Sequence, residues 1–233
     1  MERLDKLFSS CAILSRKECL IAAKKCRITV NGEVCKNPSV KVDPLKDTIL
    51  LDGKAPEFKK FVYIMLNKPS GVVSATEDTA QKTVIDILPS DFKRDGLFPC
   101  GRLDKDTVGL VIITNDGVSA HKKLAPKSKT EKVYYLEIAD EILSGQVEQI
   151  EKGVTLKDGY TVSPCRLKMI TKNSGYITLT EGKYHEIKRI FGSLGNRVTY
   201  LKRISFGGIE LDKALQEGEA RYLTKQEEEL FTK

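Results

Sequence analysis

The run Leu110-Val111-Ile112-Ile113 must be buried, and a polar loop bounded by glycines leads straight into it: Gly101-Arg102-Leu103-Asp104-Lys105-Asp106-Thr107-Val108-Gly109. Gly101 and Gly109 admit backbone angles and close approaches that other residues resist, while the β-branched residues that follow favour a strand. Asp104 is therefore expected on a rigid support. A carboxylate held this way can serve as a nucleophile. Equally, Asp104 and Thr107 can bond to the backbone of an ordinary turn, and spacing alone leaves both readings open.

Two other chemistries can be tested on the same loop. An EF-hand counted from Asp104 finds Asp106 and Gly109 in place, but Val108 and Asn115 occupy the fifth and twelfth positions, so calcium is rejected. A two-carboxylate glycosidase has little support, because neighbouring loop residues give no acid and base separation.

With 233 residues and 40% hydrophobic content, the chain can bury a substantial core. No apolar run approaches the length that spans a bilayer, and the charged start Met1-Glu2-Arg3-Leu4-Asp5-Lys6 lacks the apolar centre of a signal peptide, so a cytoplasmic protein is expected. The six cysteines contain no Cys-x-x-Cys pair and lie far from His121 and His185 in sequence, which indicates neither a zinc site nor a disulfide framework. Walker and dinucleotide glycine fingerprints are missing too. Net charge is +7, and residues 1–60 carry 13 basic against 8 acidic side chains, or +5 of it. Such asymmetry points to an acidic polymer as partner.

Leu4, Leu7 and Phe8 recur at helical spacing, and Ser15 with Glu18 reads as a capping box opening a second helix. Ile28-Thr29-Val30-Asn31-Gly32-Glu33-Val34 then reads as a hairpin, with another strand at Thr48–Leu51. The segment is thus a small αα plus β-hairpin unit. Arg3, Lys6, Arg16, Lys17, Lys24, Lys25 and Arg27 are spread over it, as a nucleic-acid surface or as ordinary solvated charge. A helix-turn-helix DNA reader is a further possibility for this segment. Lys54 to Lys60 reads as a linker, giving domains 1–56 and 61–233. Beyond it, strands are predicted at 62–66, 108–114, 132–138, 164–170, 176–180 and 197–204, with helices at 117–124, 141–151 and 184–194. That order predicts an α+β domain on a mainly antiparallel, mixed sheet.

The first 55 residues resemble the RNA-binding domain named after ribosomal protein S-four, through Arg3-Leu4-Asp5-Lys6, Ser15-Arg16 and Val30-Asn31-Gly32. They depart from it near Lys25, where that family usually has glycine. The second domain resembles pseudouridine synthases of the RsuA type. It does so through Met65-Leu66-Asn67-Lys68-Pro69, the Gly101–Leu110 loop, Glu131-Lys132-Val133-Tyr134 and Glu181-Gly182-Lys183-Tyr184-His185-Glu186-Ile187-Lys188-Arg189-Ile190-Phe191, in family order.

The resemblance implies an enzyme that detaches uracil from ribose, turns it and rejoins it through carbon five, with no cofactor and no metal. Asp104 matches the nucleophile, Lys188 its basic partner, Tyr134 the active-site tyrosine, and Leu201 an apolar residue lining the uracil pocket. Arg102 is placed to fill the gap left by a flipped nucleotide. The seven cations of the first domain are then RNA contacts. Glu186 stands where the family more often has glutamine, and it is expected to point away from Asp104 or to pair with a lysine. The implied partner is ribosomal RNA, most closely small-subunit RNA in an assembly intermediate, bound by a monomer. Large-subunit RNA, a non-catalytic assembly factor and a metal-dependent nucleic-acid hydrolase are the competing readings; the last lacks its metal cluster in sequence.

Overall fold

The computed structural model describes residues 1–233, the side chain of Ser144 excepted, and the chain forms two compact units, 1–62 with 94–96 and 63–93 with 97–233. The first unit runs β1 (Glu2–Arg3), α1 (Leu4–Ser10), α2 (Arg16–Lys24), β2 (Ile28–Val30), β3 (Glu33–Val34), β4 (Lys41–Val42) and β5 (Ile49–Leu51). The α1 stripe Leu4, Leu7 and Phe8 closes on Cys19, Ala22 and Ala23 of α2 and on Ile28 and Ile49 of the sheet β3-β2-β5. Ser15 accepts from Glu18 N while Glu18 accepts from Ser15 N, a reciprocal cap worth about 1 kcal/mol. After α2, Cys26 takes the left-handed conformation (φ +57°) that glycine usually fills at a helix end, so the expected departure falls one residue beyond Lys25. Phe58, from the stretch read as a linker, packs edge-on against Phe8 at 5.5 Å.

The second unit contains β6 (Tyr63–Lys68), β7 (Phe98–Cys100), β8 (Val108–Thr114), α3 (Gly117–Leu124), β9 (Lys132–Ile138), α4 (Ser144–Lys152), β10 (Arg166–Met169), β11 (Ser174–Leu179), α5 (Glu186–Ser193), β12 (Val198–Phe206), β13 (Ile209–Glu210), β14 (Ala220–Tyr222) and α6 (Lys225–Thr232). Its nine-stranded sheet has the order β10-β11-β9-β12-β8-β6-β14, with β13 on β12 and β7 on β8. Every pairing is antiparallel except β8 with β12. At that parallel contact Gly109 has φ +100°, and a Cβ there would stand 2.3 Å from Arg203 O. Only glycine lets β8 approach β12 so closely, which fixes the loop before it against the sheet.

Two helices start later than their sequence pattern suggests. Ile142 N donates to Lys172 O, which keeps residues 141–143 off α4, and His185 is left-handed (φ +50°), so α5 cannot include Tyr184. None of the described helices is long and apolar enough to cross a membrane.

Candidate active site

The loop 101–107 is pinned from below. Lys68, at the end of β6, is fully buried and donates from Nζ to Pro69 O (3.0 Å), Lys105 O (3.1 Å) and Thr107 O (2.7 Å). Burial lowers its pKa to about 8, against the opposing pull of Asp106 and Asp104. Leu103 N donates to Ser74 Oγ, Gly71 N to Lys105 O, and Thr107 N to Asp104 O. The turn is therefore closed by backbone groups, the Ser74 hydroxyl and the lysine, leaving the Asp104 carboxylate free to face elsewhere.

It faces α5. Ile187, Ile190 and Phe191 bury one stripe of that helix, which sets Lys188 on its flank with Nζ 3.1 Å from Asp104 Oδ2 and 2.5 Å from Asp106 Oδ1. Burial opposes the Lys188 charge, but the bonds to Asp106 and Asp104 outweigh it and raise the pKa above the ordinary lysine value. Asp106 is correspondingly lowered, chiefly by its bond to Lys188. His185 Nε2 lies 3.5 Å from Asp104 Oδ1, its ring stacked on Tyr184 at 3.8 Å. The Asp104 side chain is 26% exposed, accessible yet ion-paired.

Asp104, Lys188, Tyr134, Leu201 and Arg102 all line one cavity of about 70 Å³, together with Thr107, His185 and Glu186. Tyr134, on β9, is directly opposite Arg203 on β12, and both are buried. Burial raises the Tyr134 pKa, and the adjacent Arg203 partly opposes that shift. Leu201 is buried on the same face of β12 as Arg203, and Arg102 is exposed at the rim.

Glu186 corrects its expectation. It is buried and lines the cavity instead of pointing away, and in place of a lysine ion pair it accepts from Lys183 N at 2.8 Å. Burial raises its pKa above the ordinary carboxylate value, against the opposing bond from Lys183 N. Lys68, Asp106 and His185 received no role from sequence. Their signal was present in the quoted motifs, but which side chains converge depends on the fold.

On the first unit the seven expected RNA-contact cations are all exposed. Two of them are already paired: Arg3 with Asp5 at 2.7 Å and Arg27 with Asp52 at 2.5 Å. Lys6, Arg16, Lys17, Lys24 and Lys25 have no ion pair among the described residues.

A family model described as RNA pseudouridylate synthase matches residues 62–193, the span that holds Asp104, Tyr134 and Lys188. The chain belongs to the RNA pseudouridylate synthase family. It is 41% identical over 229 residues to the RNA pseudouridine synthase YtzG of Bacillus subtilis, covering 97% of this chain and 96% of the relative. It is 39% identical to a ribosomal small subunit pseudouridine synthase A of Vibrio vulnificus and 36% identical to that of Escherichia coli, covering 97% of both partners in each comparison. A crystal structure of a pseudouridylate synthase superposes with a TM-score of 0.70 at 32% identity, covering 99% of this chain and all of the other.

Proposed function

We propose that this pseudouridine synthase isomerises one specific uridine of small-subunit ribosomal RNA, with Asp104 as nucleophile. The observation that carries the chemistry is the Asp104–Lys188 pair at 3.1 Å, opening into the same cavity as Tyr134 and Leu201. Attack by Asp104, whether on the anomeric carbon or on the uracil ring, needs the ionised carboxylate, and the Lys188 charge favours that form. The glycosidic bond breaks, the base turns, and carbon five bonds to the anomeric carbon, with the bond to Asp104 released; the proton lost from carbon five is matched by one gained at the nitrogen that left the ribose, and Tyr134 can take part in that transfer through its hydroxyl. The Tyr134 ring and Leu201 offer an apolar wall for the flipped base, and Arg102 at the rim occupies the vacated stack and offsets the cost of extrusion. No cofactor or metal enters this scheme.

In this reading the first unit is an S-four-like RNA-binding domain that holds structured RNA by its phosphates, through Lys6, Arg16, Lys17, Lys24 and Lys25. Arg3 and Arg27 contribute less, because each must first leave a carboxylate. The substrate is a partly assembled small-subunit particle in the cytoplasm, modified by a monomer. The relatives named as small-subunit synthases, matched over nearly their whole length, support that target. Incubating the enzyme separately with small-subunit and large-subunit RNA, each with its assembly proteins, and mapping the product decides it. Product confined to the small subunit is expected, and product confined to the large subunit refutes the target while leaving the chemistry intact.

A further inference from the structure

A second group of charges lies beside the pocket, outside the chemistry described above. From Gly117 to Thr130 the chain carries Lys122, Lys123, Lys127 and Lys129 and no carboxylate. Lys122, Lys127 and Lys129 are exposed, and none of the four forms an ion pair among the described residues. The two flanking carboxylates are already engaged: Asp116 caps α3 and Glu131 pairs with Arg166. Lys123 is close enough to Lys122 that their repulsion adds to burial in lowering its pKa. Lysines at a helix C-terminus favour the helix dipole, which accounts for Lys122 and Lys123 alone, since Lys127 and Lys129 lie beyond the helix.

The segment is held in one shape. Thr130 Oγ1 donates to Lys123 O at 2.6 Å and Ser128 Oγ to Ala125 O at 2.7 Å, satisfying carbonyls that the end of α3 would leave open. Lys129 is left-handed, with φ +47°. The segment lies next to the loop and, through Lys132, next to the cavity: a Cβ at Gly101, beside Arg102, would meet Leu124 Cδ2 at 3.1 Å, and Thr130 O accepts from Nζ of Lys132, whose Cε would lie 3.7 Å from a Cβ on the cavity-lining Gly182. Four like charges are thus presented on a rigid segment whose Leu124 lies against the start of the loop that carries Arg102 and Asp104.

We propose that Lys122, Lys123, Lys127 and Lys129 form a phosphate-binding tract for the RNA strand that continues away from the flipped uridine. A polyanion with evenly spaced charges relieves the repulsion among the lysines and fixes the strand on the side of the loop where Arg102 enters. The proposal rests on the reading that RNA is the substrate, and it adds contacts in the catalytic unit to those of the first unit.

The test substitutes all four residues with serine and titrates RNA binding and pseudouridine formation against salt. A control variant, Lys152→Ser, Lys168→Ser, Lys213→Ser and Lys225→Ser, removes the same charge from other exposed positions of the same unit. At about 0.7 to 0.9 per phosphate contact, the slope of log affinity on log salt should become shallower by about 3 in the tract variant, with Kd and KM rising at least about tenfold at low salt. The control should change the slope by less than about 1. A wild-type slope in the tract variant, or an equal loss in the control, overturns the proposal. Wild-type protein that binds RNA without forming pseudouridine would instead overturn the substrate reading, so the two failures are distinguishable. Melting curves establish that both variants are folded.

Discussion

The loop 101–107 and the helical surface of the first unit treat charge in opposite ways. In the loop, Asp104 and Asp106 share Lys188, and three carbonyl groups hold the buried Lys68 in place. On the first unit Lys6, Arg16, Lys17, Lys24 and Lys25 are exposed and unpaired among the described residues. A reacting group needs fixed partners that set its protonation, so one substitution there removes a whole step. A phosphate-binding surface works through the sum of screened, interchangeable contacts, so each residue matters little by itself.

That contrast can be broken most easily at its extreme. Asp104→Asn should lower pseudouridine formation by about 10⁴-fold or more, while RNA affinity changes by less than about tenfold, or roughly 1.4 kcal/mol. Turnover near wild type in the purified variant would end the assignment. Lys188→Ala should cost about a hundredfold in rate, because the partner of a partly buried carboxylate is lost. A wild-type rate in this variant would remove Lys188 from the mechanism. Tyr134→Phe is expected to lose about a hundredfold with Kd unchanged, and a wild-type rate would remove its hydroxyl from the mechanism.

Lys68→Met sharpens the comparison within the loop itself. Three carbonyls need three N–H donors, and the neutral amine has two, so the wild-type rate should fall as pH rises through about 8. Stability responds with the opposite sign. The unfolded lysine keeps its proton to about 10.5, the unfolded state binds more protons between about 8 and 10.5, and the fold gains stability as pH rises across that window. The Met variant should lose the alkaline limb of the rate and about tenfold in turnover as the loop loosens. A limb that survives would assign the titration to another group.

How far the sequence could be read follows the same physics. Strands β8 and β9 and helix α3 have the predicted bounds, because continuous apolar runs and one amphipathic stripe decide them locally. The short strands β7 and β14 and the helix α6 were not predicted. The two strands have three residues each, and they exist through pairing with β8 and β6. Asp104, Tyr134, Lys188, Leu201 and Arg102 were legible through motif resemblance, and the fold brings them to one cavity from four separate elements. Lys68 was not, because a lysine in a strand reads as solvated until the carbonyls around it are known. Glu186 failed for the same reason: a carboxylate one residue from a histidine gives no local sign that its helix will bury it.

The smallest effects belong to the first unit. Lys24→Ser alone should change Kd less than about threefold and reduce the salt slope by under about 1, whereas neutralising Lys6, Lys17, Lys24 and Lys25 together should lower the slope by about 3. The division between a pinned carboxylate for chemistry and a diffuse surface for binding is tested most directly by measuring the single-turnover rate at saturating RNA together with Kd, for Asp104→Asn and for the fourfold lysine variant. The account predicts that the first loses the rate and keeps Kd, while the second loses Kd and keeps the rate. Loss of the rate in both, or of Kd in both, would contradict it.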